Sequence, residues 1–493
     1  MSLLLSWACA AVLVGIGAIG SSSRSTSQAN SDRLLAAIAA AWLIAALLSA
    51  LIGLVQYFGL SFLFEPWVFQ TPAGRAYANL RQPNQFATLI NIGLVALIWW
   101  QAGGPSGPAL AAGANGVASP SKRAAAPVAA AILLAMGNAA SSSRTGMVQM
   151  ALLISIPWMW NAGVWRQAFI QRILSTYLIA YAVAALVLPT LAGLDFDSTG
   201  LWSRMHDGQT CTGRLTLWSN VLQLIAQKPW LGWGWEELDY AHFITLYSGE
   251  RFCGILNNAH NLPLHLAVEL GIPVAVLATC TGLWLIGRAK PWRETNLTRQ
   301  MAWAVVALIL LHSMLEFPLW YGPFQTAFGL CIWILWQHPG HGLTSPGKLR
   351  RSSPQVARAL TAGLFLAFLG YAAWDYDRVS QIFLPRKMRT EAYRLNTLEK
   401  IQDSWLFQGQ VQYAELVRTE LSGANARHMN ALAKQTLHFS PEALVAERLI
   451  ESAILLNQPE EEQFYRVRYQ AAFPEKYALW SAKNALPMRS DLK

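Results

Sequence analysis

About ten times along this chain, runs of roughly 16 to 25 residues pass with hardly a charged side chain. A run of that length forms a helix that crosses the ~30 Å hydrocarbon core of a bilayer at about 1.5 Å per residue. Inside lipid only a helix, or a closed barrel, satisfies its own backbone polar groups. The runs lie at roughly 3–20, 34–59, 83–101, 127–141, 145–160, 173–193, 262–287, 301–320, 322–337 and 359–374. The fourth and fifth are short enough to be tilted, buried or partly re-entrant. The predicted fold class is all-α: a polytopic transmembrane helical bundle. Composition agrees, at 54% hydrophobic and 13% charged, where a soluble domain is about a quarter charged.

Charge then orients the bundle. The formal net charge of +10 reads as basic loops on one face of a membrane, not as a nucleic-acid footprint. Arg24 and Arg33, Lys122 and Arg123, Arg166 and Arg172, Arg288 to Arg299, and Lys348 to Arg358 all fall on the same side by parity, which the positive-inside rule makes the cytoplasm. The opposite side receives 60–82, the turn at 141–145, a long loop at 194–258, the turn near 317–323 and everything after 374. The first run lacks a basic n-region and reads as an anchor. Residues 102–126 are an Ala/Gly/Pro/Ser-rich connector. No zinc-type cysteine spacing, Walker loop or dinucleotide fingerprint occurs.

The chain divides into a transmembrane part, 1–374, and a mixed-charge tail, 375–493, with helical periodicity. "SPEALVAERLIESAILLNQPEEEQFYRVRYQAAF" predicts a helical hairpin, with Ser440 as N-cap, Pro441 at the first helical position and a break at Asn457–Pro459. The tail reads as a repeat-like helical module outside the membrane.

Unusual polar residues gather on the outer face. "NLRQPNQFATL" opens the third run with Pro83 at a first helical position and Arg81, Gln82, Asn84 and Gln85 around it. "SSSRTG" puts Arg144 in an outer turn, and "CTGRLTLW" puts Arg214 in the long loop. "NNAHNLP" sets His260 and Asn261 at the mouth of the seventh run. "LHSMLEFPLWYGPF" places His312 within a run, Glu316 one turn further out and Tyr321 beyond. Singly, each has an ordinary structural reading: Arg144 snorkelling, Arg214 solvated, Gln85 capping, His260 satisfying loop backbone, and His312 pairing with Glu316. His265 and Glu269 read as a structural pair. Together the residues make a chemistry: guanidiniums bind phosphate bidentately, helix N-termini favour anions, and a histidine can accept a hydroxyl proton. That set suits group transfer from a lipid diphosphate.

The motifs "RQPNQFATL", "SSSRTG", "GRLTLWSNVLQLIAQKPWLGWGWEELDYAHF", "CGILNNAHNLPLHLAVELGIP" and "HSMLEFPLWYG" resemble the bacterial protein O-oligosaccharyltransferases of the pilin-glycosylation ligase type. These belong to the broader O-antigen ligase and Wzy-polymerase superfamily. The likeness covers about residues 75 to 335 and extends more loosely over the tail. It implies a GT-C-like helical fold in the bacterial inner membrane, with a long periplasmic loop and a helical C-terminal periplasmic domain. It also implies en bloc transfer of a glycan from undecaprenyl diphosphate to Ser or Thr of pilin or other exported proteins, with no metal or other cofactor. By motif position, His260 is the catalytic histidine, Arg214 and Arg144 contact the diphosphate, and Gln85 lines the site. Arg81, Asn261, His312, Glu316 and Tyr321 are expected substrate-side residues.

Two departures stand out. Relatives usually carry more spans before the RQPNQ segment, so this chain looks short by about two helices. Position 257 is Asn where close relatives often have Asp. Cys211 and Cys253 both fall in the outer loop, and an oxidising periplasm favours a disulfide between them; Cys9, Cys280 and Cys331 fall in apolar runs. The alternatives are ligation to lipid A-core, glycan polymerisation and, in a different class, a lipid-glycan transporter. A transporter would carry its ionisable residues through the midplane of several spans.

Overall fold

The computed structural model describes residues 7–8, 24–103, 120–160, 165, 167–194, 211–254, 256–337 and 355–485. Among them every regular element is helical and none is a strand. Most of the expected first span, with Cys9, lies outside the described residues, as do 104–119 of the connector and 195–210 of the long loop. Three described helices are long and apolar enough to cross a membrane: Ser31–Tyr57, Ala168–Leu191 and Ile272–Arg293. Ala125–Ser141 and Leu297–Ser313 are shorter apolar helices. Two compact units divide the chain, one from 2–208 and 282–363, the other from 209–281 and 364–493.

The first unit holds α1 (Arg24–Tyr57), α2 (Pro83–Gln101), α3 (Pro120–Ser141), α4 (Arg144–Met159) and α5 (Ala168–Leu191). α2 begins where its sequence says it should. Pro83 needs no N–H partner in the first turn, and the Gln82 side chain caps the N–H of Gln85 at 2.6 Å. α1 packs on α2 and α3, and α3 on α5. Small residues allow the approach: a Cβ on Gly93 would lie 2.2 Å from that of Ala46, and one on Gly137 2.9 Å from that of Ala50. In lipid, where no hydrophobic force draws helices together, such close packing supplies the attraction.

α2 also packs on α4 and on α10 (Leu297–Ser313), and α10 on α11 (Gly322–Gln337). The expected run 301–320 is cut short: its helix ends at Ser313, and 318–320 form a separate 3-10 turn opened by Pro318. Pro318 lacks an N–H and would clash with the carbonyl four residues back, so the helix stops before it.

In the second unit lie α6 (Arg214–Gln227), α7 (Leu238–Ile244), α8 (Leu262–Leu270) and the first half of α9 (Ile272–Ala289). The apolar run 262–287 is not one helix. Gly271, at φ +88°, breaks it, and any Cβ there would lie 2.1 Å from the Trp230 carbonyl oxygen. The 229–234 turn takes over the carbonyls freed at the end of α8: Trp233 N–H donates to Val268 O at 2.9 Å and Gly234 N–H to Glu269 O at 3.0 Å. Hydropathy is blind to this break because both halves are apolar. α8 therefore stands before the spanning segment that starts at Ile272.

The tail supplies the rest of this unit. α12 (Gln355–Ser380), part of this unit from 364 onward, runs across position 374 and carries in its last turns the buried Asp375, which accepts from Arg378, Ser404 and the Leu406 N–H. Then come α13 (Gln408–Arg418), α14 (Ala426–Phe439), α15 (Ala443–Leu455), α16 (Pro459–Ala472) and α17 (Pro474–Ala485). α15 starts at Ala443 after Glu442, not at Pro441 after a Ser440 cap. The Ser440 hydroxyl instead donates to the Glu442 carboxylate at 3.1 Å, and its backbone ends α14. The break at 457–459 is where the sequence puts it, with Asn457 at φ 57° and Pro459 opening α16. α7 plugs into this helical layer: Phe243 joins Met429, Leu432 and Leu449 in one core, and Tyr240 stacks on His438 at 3.8 Å.

Candidate functional site

In the second unit, α6 opens with Arg214, half-buried, after Gly213 and next to Cys211. Cys211 is bonded to Cys253 across 42 residues of sequence. The chain between them is held from inside. Asn220 on α6 donates to Glu250 O at 2.9 Å and accepts from Phe252 N–H at 2.8 Å. His242 is a structural histidine: its Nε2–H donates to Phe252 O, so Nδ1 accepts from the Tyr247 hydroxyl at 2.8 Å. Burial, and secondarily the Arg251 guanidinium, pushes its pKa down to about 3.

The loop then delivers His260 in the left-handed region, φ 52°, a conformation that favours glycine and costs other residues energy. Its N–H is satisfied at 2.8 Å by the side chain of Asn258, itself buried. Asn261 caps α8 by accepting from Leu264 N–H at 3.1 Å. The amides that surround this histidine are thus the devices that hold its backbone in place. Trp218 of α6 donates to Ala259 O at 3.0 Å, so the helix headed by Arg214 is bonded directly to the residue before His260.

One turn deeper, His265 Nε2 and Glu269 Oε2 lie 3.6 Å apart, both buried. Burial, then the proximity of His260, lowers the His265 pKa to about 4. Burial, then the carboxylates of Glu236, Asp239 and Glu237, raises that of Glu269 to about 7. An ion pair would drive the two in the opposite directions, so desolvation wins and the pair is a neutral contact near pH 6. Glu236 and Asp239 belong to the acidic stretch "EELD", which the sequence reading did not use. Its proximity to Glu269 arises only through the 229–237 turn.

In the first unit a second polar group forms around α2. Asn84 donates to Glu316 at 3.1 Å and accepts from Ser143 at 2.6 Å. Ser143 caps α4, whose first residue is the exposed Arg144. Gln85 is buried beside the Tyr321 phenol, whose pKa burial raises against the opposing Gln85 hydrogen bond. The Thr88 hydroxyl lies 2.9 Å from Nδ1 of the fully buried His312. Arg81 stands apart, exposed, its guanidinium 4.4 Å above the Phe69 ring.

From Thr88 the chain of bonds continues inward. Gln149 donates to Thr88 and to Leu308 O, Asn91 donates to Gln149, Tyr177 donates to Asn91, and Asn138 donates to Tyr177. Sequence reading missed this ladder. A signal for it existed: Asn84, Thr88 and Asn91 fall at i, i+4 and i+7, one polar stripe on an otherwise apolar helix. Among the described residues no group of three or more His, Cys, Asp or Glu is placed to hold a metal ion.

A helical membrane protein with a capped, strained histidine at a helix mouth and a buried polar stripe defines a class rather than an activity. Comparison with known families narrows it. Residues 129–279 match the O-antigen ligase family, 76–100 match a protein glycosylation ligase segment, and 300–486 match the C-terminal region of virulence factor membrane-bound polymerases. These matches make the chain similar to the O-antigen ligase family over part of its length. It is 27% identical over 378 residues to a general O-oligosaccharyltransferase of Acinetobacter baylyi (strain ATCC 33305 / BD413 / ADP1), covering 73% of this chain and 60% of the relative. A ComP-specific O-oligosaccharyltransferase of the same strain is 23% identical over 353 residues, covering 69% and 59%. The chain thus spans about three fifths of the length of these curated relatives. No solved structure matches it significantly.

Proposed function

We propose that this protein moves a preassembled oligosaccharide en bloc from undecaprenyl diphosphate to Ser or Thr hydroxyls of pilin or another exported protein. It does so in the bacterial inner membrane, as a polytopic GT-C-like bundle whose tail and loop face the periplasm. The observation that carries this reading is His260, its left-handed backbone bonded by Asn258 and followed directly by the Asn261 cap of α8, inside the stretch matched to O-antigen ligases. Likeness to two O-oligosaccharyltransferases supports a protein acceptor.

In this mechanism His260 takes the proton of the acceptor hydroxyl as its oxygen attacks the anomeric carbon. The bond from that carbon to the diphosphate oxygen breaks, and the lipid diphosphate leaves with the electron pair. Arg214, at the head of the helix bonded to the residue before His260, neutralises the charge that builds on it. A positioned base contributes about 10²- to 10⁴-fold, and guanidiniums aimed at developing charge favour the transition state over the ground state. The matches to O-antigen ligases and to the polymerase C-terminal region favour a second reading with the same donor chemistry: ligation to lipid A-core or glycan polymerisation.

The test is co-expression with a lipid-linked glycan pathway and a candidate pilin, read by intact mass of the pilin. His260→Ala is expected to abolish most transfer at matched membrane levels, and Arg214→Lys to lose much of it, since an ammonium keeps charge but not the planar fork. Unmodified pilin beside glycosylated lipid A-core would move the protein to the second reading. Near-normal transfer by His260→Ala would remove that residue from the chemistry.

A further inference from the structure

The turn "PWLGWGW" at 229–235 packs Trp233 inward, its indole N–H donating to Leu224 O, and presents its other bulky side chains outward. Trp230 is 76% exposed, Leu231 86% and Trp235 54%. Three exposed bulky residues within seven positions are costly in water. What they meet follows from where the backbone holds them. Ile272 N–H donates to Pro229 O at 2.8 Å, and Ile272 is the first residue of an apolar spanning helix with almost no residue buried in protein. Gly232 and Gly271 lie back to back: a Cβ on Gly232 would sit 2.3 Å from Glu269 O, and one on Gly271 2.1 Å from Trp230 O. With no room for a side chain between them, the turn cannot slide along the helix junction. Trp230 and Leu231 are therefore fixed at the level where α9 enters the bilayer.

We propose that the 229–235 turn is a bilayer-interface anchor, with Trp230 and Leu231 inserted at the boundary between phospholipid headgroups and acyl chains. The residue types fit that boundary. Tryptophan concentrates at membrane–water interfaces because its ring is apolar and its N–H is not. Lys228, whose ammonium lies 4.0 Å above the Trp233 ring, is placed to reach phosphate headgroups while its stem stays in the apolar layer. The anchor has a structural consequence. α8 runs from His260 and Asn261 at one end to this turn at the other, nine residues or about 13 Å. Fixing the turn at the interface sets how far above the membrane the opposite end of α8 stands. The inference concerns this unit and its lipid, and does not depend on the reaction proposed above.

Nitroxide accessibility on the full chain in phosphatidylethanolamine/phosphatidylglycerol nanodiscs tests it. Single labels go on Trp230→Cys and on Leu231→Cys, with Cys9, Cys280 and Cys331 replaced by Ala and the Cys211–Cys253 bond kept. Reference labels go on Leu277→Cys in α9, 69% exposed, and Leu479→Cys in α17, 75% exposed. Labels at 230 and 231 should favour oxygen over a water-soluble nickel chelate, with a ratio close to that at 277 and several-fold above that at 479. A ratio matching 479 would put the turn in water and overturn the proposal. Shielding from both reagents would overturn it too, by showing a protein partner on this surface.

Discussion

Trp218 donates its indole N–H to the carbonyl of Ala259 at 3.0 Å, so the helix that begins with Arg214 is bonded to the backbone one residue before His260. Asn220, on the same helix, grips the chain at 250–252. Two candidate catalytic residues 46 positions apart in sequence (214 and 260) are thus set on one framework. Trp218→Phe keeps the ring and deletes only the donor, leaving a carbonyl without its partner, at a cost of about 1–3 kcal/mol. The expected result is a lower unfolding temperature and reduced transfer at normal membrane levels. Unchanged values of both would show that this bond positions nothing.

The Cys211–Cys253 bond closes the same framework from outside. A loop of that length implies about 4 kcal/mol of stabilisation in the chain-entropy account. The Cys211→Ser/Cys253→Ser double variant should show protease cleavage within 211–253 under conditions where the parent is intact. Equal protection of both forms would mean that Asn220, His242 and Arg251 hold the loop without the crosslink.

Glu269 and His265 pull the stability of their unit in opposite directions with pH. Glu269, raised from 4.5 to about 7 by burial and neighbouring carboxylates, holds its proton longer folded than unfolded. Its ionisation therefore costs stability progressively as pH climbs from about 4.5 to 7. His265, lowered from 6.5 to about 4, costs stability as pH falls through that interval. Glu269→Gln, which cannot ionise, should raise the melting temperature above pH 7 and give no such gain near pH 4. A gain of the same size at both pH values would mean the effect is packing, not charge.

Tyr177 joins Asn138 to Asn91 through its hydroxyl, fully inside the first unit. Tyr177→Phe preserves the ring and leaves both amides short of a partner, so a loss of about 1–3 kcal/mol is expected. Thermal unfolding in detergent measures it. A much smaller loss would show that water takes the hydroxyl's place.

Much of this protein was written locally. Pro83 and Gln82 start α2, Ser143 starts α4, and Asn261 starts α8, because a helix end needs partners for its own N–H groups and neighbouring residues supply them. The apolar runs dictated helices for the same reason: in lipid each segment must satisfy its backbone from within. The sequence also picked out His260, Asn261, Gln85, His312 and Glu316 as unusual, since polar groups at the edge of an apolar run are costly unless they are used. What it could not reveal were meetings between distant segments. The break at Gly271 exists because Trp230 comes back to fill the space a side chain would need. Thr88 meets His312, and Tyr177 meets Asn91 and Asn138, only once α2, α3, α5 and α10 pack. Phe243 likewise finds its core among tail residues some two hundred positions away. Local hydrogen bonding and hydropathy are properties of a segment, whereas these contacts are properties of how segments pack, and only the tertiary structure decided them.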